Sequence, residues 1–161
     1  VITSVTIGKI TDFNVTDANN MGAAMAPAAA DTIIAHLSDL GLEPNYYDAI
    51  ITGDLGLTGS GMLRELMDMH GYSLYDEKNN CFRHQDCGAM IFDPIKQKTH
   101  SGGSGCGCIA SVFASYFYKQ LQGGNLKRIL VVGTGALMSP ISVKQSESIS
   151  GIAHAVAIEA Q

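Results

Sequence analysis

The stretch His100-Ser-Gly-Gly-Ser-Gly-Cys-Gly-Cys-Ile-Ala-Ser111 runs directly into the apolar segment Val112-Phe-Ala-Ser-Tyr-Phe-Tyr118. Its glycines, at 102, 103, 105 and 107, allow the backbone to turn sharply and to approach another group closely. A helix that begins at such a turn presents free N–H groups, which can seat a carboxylate or a phosphate. The sequence therefore predicts an anion-facing turn at the head of a buried helix over 104–121, with His100 beside it.

The composition is that of a single packed domain. The chain has 161 residues, of which 46% are apolar and 16% are charged, and these proportions suit an α/β core and argue against disorder. The net charge of −5 and the lack of a Lys/Arg cluster give no reason to expect nucleic acid as a partner. No apolar run is long enough for a transmembrane helix.

Predicted strands alternate with predicted helices along the chain. Apolar or alternating runs predict strands over 1–10, 47–52, 88–92, 128–133 and 152–158. Helical spacing predicts helices over 27–40, with Pro27 in the first turn and Gly41 just after the end, and over 60–70. Residues 71–100 are polar and predict an irregular excursion near the glycine-rich turn. This order predicts an α/β domain over 1–161 with helices on both faces of the sheet.

The four cysteines raise the question of a metal site. Cys81, His84 and Cys87 are followed by Cys106 and Cys108, but the set lacks the paired Cys-x2-Cys spacing of structural zinc sites. We interpret the cysteines as small apolar residues and expect no zinc. A Cys–His nucleophile pair between His100 and Cys106 or Cys108 has no orienting carboxylate nearby in sequence.

Two further patterns concern ligands. Gly105-x-Gly107-x-x-Ala110 matches a relaxed dinucleotide fingerprint, but no strand precedes it and Asn125 stands where an acidic residue is needed. With no Walker loop either, nothing indicates a cofactor. Asp54 lies between two glycines after a predicted strand, which is a typical place for a functional carboxylate. The alternative is a turn residue that caps the next helix, and the two interpretations weigh equally.

Several strings carry a family resemblance. The helix from Pro27 to Leu42, the strand end Ile50-Ile-Thr-Gly53, the glycine-rich turn and the strand Ile129-Leu-Val-Val-Gly133 resemble the second half of thiolase-like proteins such as β-ketoacyl synthase III. More closely, five strings are similar to the stage V sporulation protein AD family of spore-forming bacteria. They are Val5-Thr-Ile-Gly-Lys9, Asp17-Ala-Asn-Asn-Met-Gly-Ala-Ala-Met-Ala-Pro-Ala-Ala-Ala30, Tyr46-Tyr-Asp48, Thr52-Gly-Asp-Leu-Gly56 and Gly102-Gly-Ser-Gly-Cys-Gly-Cys108.

The resemblance implies a three-layer α/β/α domain with a five-stranded mixed sheet, the second half of a pseudo-symmetric protein. In active synthases the nucleophilic cysteine comes from the first half, and a histidine stands where this chain has Gly53 or Asp54. A second histidine or asparagine falls at about His100. Without the first histidine the oxyanion hole for condensation is incomplete, so the resemblance implies a protein that is not an enzyme.

The sporulation family implies binding of dipicolinate, free or as its calcium chelate, during uptake into spores and release in germination. The residues expected to bind it are Asp54, His100, Gly102, Gly103, Ser104 and Gly105. The expected partners are other stage V sporulation membrane proteins, the chain's own N-terminal thiolase-like domain and a second copy, with peripheral attachment on the cytoplasmic side of the spore inner membrane. The alternatives are a condensing acyl transferase, whose nucleophile lies in the other half, and a structural assembly module.

Overall fold

A computed structural model describes residues 1–102 and 106–161. In chain order the strands are Ile2–Ile7 (β1), Ala49–Thr52 (β2), Tyr75–Asp76 (β3), Cys81–Phe82 (β4), His84–Asp86 (β5), Arg128–Leu137 (β6) and Ser150–Glu159 (β7). The helices are Met21–Leu40 (α1), Gly56–Met69 (α2), Cys87–Ile91 (α3), Gly107–Val112 (α4), Tyr118–Gln122 (α5) and Pro140–Lys144 (α6). A π-helical turn, Phe113–Phe117, joins α4 to α5, and a 3₁₀ turn covers Pro44–Tyr46.

Five of the strands form one mixed sheet in the order β1-β7-β6-β2-β5. β2 runs parallel to both β5 and β6, whereas β7 is antiparallel to β6 and to β1. β3 and β4 form a separate small hairpin. The predicted five-stranded mixed sheet is therefore confirmed.

One face of the sheet is covered by the helices α1 and α2. A row of paired residues crosses this face through Thr6, Ala155, Val132 and Thr52, and the last three are fully buried. They lie under α1, which buries six alanines. Four of these alanines belong with Ile33 and residues of α2 to one core cluster. Because alanine has almost no side-chain bulk, α1 lies close against the strands.

The opposite face is covered at one end only. On this face a row of paired residues runs across the strands through Ile51, Val131, Val156 and Val5. Ile51 is buried in a second cluster with residues of α3, α4 and α5, whereas Val5 at the other end of the row is 59% exposed. Helices therefore pack on both faces, as predicted, but the β1 side of this face carries apolar residues that the chain leaves open to solvent.

The helix predicted over 104–121 is less buried than expected. The helical segment begins at Gly107, and α5 ends at Gln122. Phe117 is fully buried, whereas Tyr116 and Tyr118 point outward and are nearly half exposed. The prediction of burial all round was wrong because only one side of the segment has a sheet to pack against.

The predicted start of α1 was also wrong. The helix begins at Met21, where the Asn20 side chain accepts a hydrogen bond from the backbone N–H of Ala23. Pro27 lies in the second turn and not in the first. Because proline has no N–H, the helix runs through this position without the intrahelical bond to the carbonyl of Ala23.

Residues 71–100 contain more regular structure than predicted. The strand expected at 88–92 is the short helix α3, and the strand lies just before it, as β5 at the edge of the main sheet. The sequence of β5, His84-Gln-Asp86, is polar and gives no strand signal. No helix within the described ranges is both long and apolar enough to cross a membrane.

Candidate functional site

The turn after β2 places a buried carboxylate at one end of the sheet. The chain leaves β2 at Thr52, passes Gly53, Asp54 and Leu55, and enters α2 at Gly56. This position is the carboxyl end of the parallel strands β2 and β6, where α/β sheets commonly bind ligands. Asp54 is buried there, and its role as a site residue stays a prediction.

A second carboxylate, that of Asp86 at the end of β5, holds this turn. Asp86 Oδ2 accepts hydrogen bonds from the Thr52 hydroxyl at 2.7 Å and from the Leu55 backbone N–H at 2.8 Å. Its Oδ1 accepts from the backbone N–H groups of Gly56 and Ala89, each at 3.1 Å. Asp86 therefore satisfies backbone donors at the start of both α2 and α3. This is the capping role that was considered for Asp54 from the sequence.

Asp86 was missed from the sequence because its partners on α2 lie about thirty residues away. An aspartate just before a helix is a known capping signal, and recognising α3 as a helix would have revealed that part of its role. Burial raises the pKa of the Asp86 carboxyl, and the neighbouring Asp54 carboxylate acts in the same direction. The hydrogen bonds from Leu55, Thr52 and Ala89 oppose that effect.

A buried histidine extends the same network. His84 Nε2 lies 2.8 Å from Thr52 Oγ1, whose single proton goes to the carboxylate of Asp86. The hydroxyl must therefore accept from His84, which fixes the neutral tautomer with its proton on Nε2. Burial lowers the pKa of His84 to about 3, and the nearby Arg64 guanidinium acts in the same direction. The imidazole is thus a neutral structural donor at physiological pH.

A cavity of about 330 Å³ opens beside the turn. It is bounded by the first turns of α1, the β2–α2 turn, the start of α4 and the carboxyl half of β6. The lining residues are Met21, Met25, Gly53, Asp54, Cys106, Ile109, Thr134, Gly135, Ala136 and Met138. This volume lies at the lower end of the range for small-molecule sites. The described lining is mainly apolar and holds one carboxylate and no cationic side chain.

The other predicted site residues are placed differently. His100 is exposed, and its backbone carbonyl accepts a hydrogen bond from Thr58 N–H at 2.9 Å. Gly102 has a φ of +83°, and a Cβ at this position would lie 2.5 Å from the backbone oxygen of Asp54. Neither His100 nor Gly102 belongs to the described lining of the cavity. The predicted residues Gly103, Ser104 and Gly105 lie outside the described residues.

The cysteines do not form one group. Cys81 and Cys106 are exposed, whereas Cys87 and Cys108 are buried in the core cluster under α4. Burial raises the pKa of the Cys87 thiol, which disfavours the nucleophilic thiolate. Within the described ranges no set of three or more His, Cys, Asp or Glu residues could hold a metal ion.

The β2–α2 turn forms one wall of the cavity, and hydrogen bonds to buried side chains hold this turn in place. The buried network of Asp86, Thr52 and His84 satisfies the backbone of the turn, so the turn presents only Gly53 and Asp54 to the cavity. An apolar cavity with a few polar groups can bind a small organic molecule and orient it. Fold and site together define a three-layer α/β domain with a mainly apolar cavity at the carboxyl end of its parallel strands.

Comparison with known proteins gives the family. The family model for stage V sporulation protein AD matches residues 1–159. The curated stage V sporulation protein AD of Bacillus subtilis (strain 168) is 46% identical over 158 residues, which are 98% of this chain and 45% of that protein. The chain belongs to the stage V sporulation protein AD family, and it spans about half the length of the curated relative it matches.

Among solved structures, 3-oxoacyl-[acyl-carrier-protein] synthase III from Aquifex aeolicus VF5 is similar to this chain with a TM-score of 0.42 at 13% sequence identity. The similarity covers 98% of this chain and 52% of the synthase.

Proposed function

We propose that the chain is the second half of a non-catalytic protein that binds dipicolinate during its uptake into developing spores and its release in germination. The observation that carries the proposal is the 330 Å³ pocket beside Asp54 in a chain that belongs to a sporulation family. A small, mainly apolar pocket suits a flat aromatic ring. Membership of the family does not itself name a ligand, so dipicolinate binding is our proposal.

The charge of the ligand sets a condition on this proposal. Dipicolinate is a dianion, and the described lining offers the carboxylate of Asp54 and no cationic side chain. The ligand's charge therefore has to be balanced by backbone N–H groups of the glycine-rich turn, by residues of the other half, or by calcium in the chelate. A free dianion facing Asp54 without such balance would be repelled.

A partner domain is the second part of the proposal. Val5 and Ile7 on β1 are 59% and 83% exposed, on the face of the sheet that α4 and α5 leave uncovered. The curated relative is about twice as long as this chain. We propose that the preceding thiolase-like domain packs against this face and contributes to the pocket, and that peripheral membrane attachment and assembly with other stage V proteins belong to the two-domain protein.

The test is calorimetric titration of dipicolinate, with and without equimolar calcium, into the 161-residue chain and into the two-domain protein. Pyridine-3,5-dicarboxylate, which has the same charge but a different placement of carboxylates, is the control ligand. Saturable binding of dipicolinate by the two-domain protein, with no binding of the isomer, supports the proposal. If neither protein binds dipicolinate, with or without calcium, the proposal is overturned.

A condensing acyl transferase would share this fold, and the test for it is separate. Gly53 or Asp54 stands where the resemblance to the synthases implies a histidine, so we expect no turnover of acetoacetyl-CoA or of a malonyl thioester. Steady turnover by the two-domain protein at a rate proportional to enzyme concentration would establish the acyl transferase. Complex assembly retained by a variant that has lost dipicolinate binding would favour the assembly module.

A further inference from the structure

We propose that Asp86 is the positioning residue of the pocket, and that its ionised carboxylate fixes where Asp54 stands in the pocket wall. The inference rests on the proposed ligand site but concerns a residue outside the described lining. Asp86 touches no part of the cavity, so its effect on a ligand must pass through the turn that it holds.

The first step is the set of groups that surround the carboxylate. The Thr52 hydroxyl and three backbone N–H groups all point at Asp86, two to each oxygen. The three backbone N–H groups can only donate, and the Thr52 hydroxyl also donates to Asp86 when His84 carries its proton on Nε2. A carboxylate can accept all four bonds, whereas a protonated carboxyl could donate only to the Thr52 oxygen and would give up one of the four. Four donors placed around two oxygens therefore favour the ionised form.

The second step is the path to the pocket. Gly53 and Asp54 lie between Thr52 and Leu55, and both of these flanking residues bond to Asp86 Oδ2. The Gly53 carbonyl accepts from the backbone N–H of Gly88 at 3.1 Å, and a Cβ on Gly88 would overlap the Asp54 carboxylate. Hydrogen bonds thus fix the turn at Thr52, at Leu55 and at the Gly53 carbonyl. Asp54 lies against the start of α3.

The third step is the electrostatic surroundings. Asp54 on the turn opposes the ionised form of Asp86, whereas Arg64 on α2 attracts it. His84 on β5 is neutral, and the Cys87 thiol on α3 stays protonated because burial raises its pKa. With burial as the largest influence, the pKa of Asp86 lies above the ordinary value of 3.8. Acidification therefore protonates Asp86 at a higher pH than an aspartate of ordinary pKa, and the four-donor arrangement is lost.

The experiment compares Asp86→Asn with Asp76→Asn in the two-domain protein. Asp76 is a second buried carboxylate, bonded to Asn79 and paired with Arg83 in the β3–β4 hairpin. Both substitutions lower the melting temperature, but only Asp86→Asn weakens dipicolinate binding per folded molecule, by at least about tenfold, since its amide places two donors among donors. The conservative Asp86→Glu restores part of the affinity. An unchanged affinity in folded Asp86→Asn overturns the proposal.

The pH profile separates positioning from a merely structural role. Wild-type affinity for dipicolinate falls on acidification as Asp86, whose pKa is raised by burial, takes up its proton. The part of the fall that is due to Asp86 is absent in Asp86→Asn. Should Asp86→Asn fail to fold, the profile of Thr52→Val decides: its affinity falls at a higher pH than that of the wild type, because one stabilising hydrogen bond to the carboxylate is gone. An identical profile overturns the proposal.

A measurement without ligand keeps this inference distinct from the proposed function. In NMR titrations the backbone amides of Gly53 and Asp54 shift together with the Asp86 carboxyl carbon at one pH midpoint. If dipicolinate does not bind but this common titration is seen, the proposed function fails and the positioning role stands. If the chemical shifts of the Gly53 and Asp54 amides do not change as Asp86 titrates, the positioning role fails.

Discussion

Gly22 and Gly59 lie in direct contact where α1 crosses α2. A Cβ placed on Gly59 would lie only 2.7 Å from the Cα of Gly22, so the two backbones meet with no side chain between them. This crossing holds the first turn of α1, and with it Met21 in the pocket wall, against the start of α2.

We expect Gly59→Ala to destabilise the domain by about 1–3 kcal/mol, because the added methyl must force the two helices apart. Gly61→Ala in the same helix is the matched control, since a Cβ there meets nothing within 4 Å. Relief of glycine's conformational entropy should make the control more stable by about 0.5–1 kcal/mol. Urea unfolding of both variants measures the difference. Equal effects of the two alanines would show that the helix crossing is loose.

At Gly102 an alanine should disturb the pocket and the fold together. Its positive φ disfavours any Cβ, and the Cβ would also press on the backbone oxygen of Asp54. We expect Gly102→Ala to lower the melting temperature and to weaken dipicolinate binding at least several-fold. Gly107→Ala, with open space around its Cβ, should do neither. Calorimetry and thermal unfolding on the same samples check both effects, and wild-type affinity in Gly102→Ala would remove this contact from the site.

His84 should make stability fall on acidification. Because its folded pKa is lowered to about 3 from 6.5, the unfolded chain takes up a proton between these values that the folded chain does not. At pH 5, one and a half units below 6.5, this costs about 2 kcal/mol of unfolding free energy. His84→Gln, whose amide can still donate to Thr52, should lose this part of the pH dependence. His70→Gln, at the exposed end of α2, is the control, and a loss of slope there instead would contradict the assignment.

Thr134 offers a substitution in the pocket wall that should leave binding intact. Its hydroxyl is buried and has no hydrogen-bond partner among the described residues. Thr134→Val removes that unsatisfied group at nearly constant shape, so we expect a gain of about 1 kcal/mol in stability. Since the oxygen is shielded from a molecule the size of water, dipicolinate affinity should not change. Thr134→Ser keeps the hydroxyl and should show no gain. A marked loss of affinity in Thr134→Val would mean that the hydroxyl reaches the ligand.

The parts of the fold that were predictable are those written in local apolar patterns. The aliphatic run in β6 and the alternation in β7 predicted both strands, although their ends extend further than expected. The start of α1 was missed because an alanine-rich string has no apolar periodicity, so Pro27 was given too much weight. β5 was missed because His84 and Asp86 are polar residues whose burial depends on partners distant in sequence.

The residues of the candidate site also divide into those with a local sequence pattern and those that depend on partners distant in sequence. Asp54 was predicted from its place after a strand and between glycines, which is a local pattern. The roles of Asp86 and of Thr134 depend on β5 and β6 lying beside β2, and no local pattern encodes that adjacency. His100 was predicted from its position before the glycines, but its backbone carbonyl makes the observed contact with α2.

The capping of α2 by Asp86 bears on how such a domain can evolve. The group that shapes the turn lies on β5, whereas the side chain that the turn presents to the cavity follows β2. An ancestor could therefore exchange the residue at position 54 while the backbone around it kept its course. Inheritance of the scaffold and inheritance of the chemistry are then independent events, and a pocket can acquire a new ligand without the fold being rebuilt.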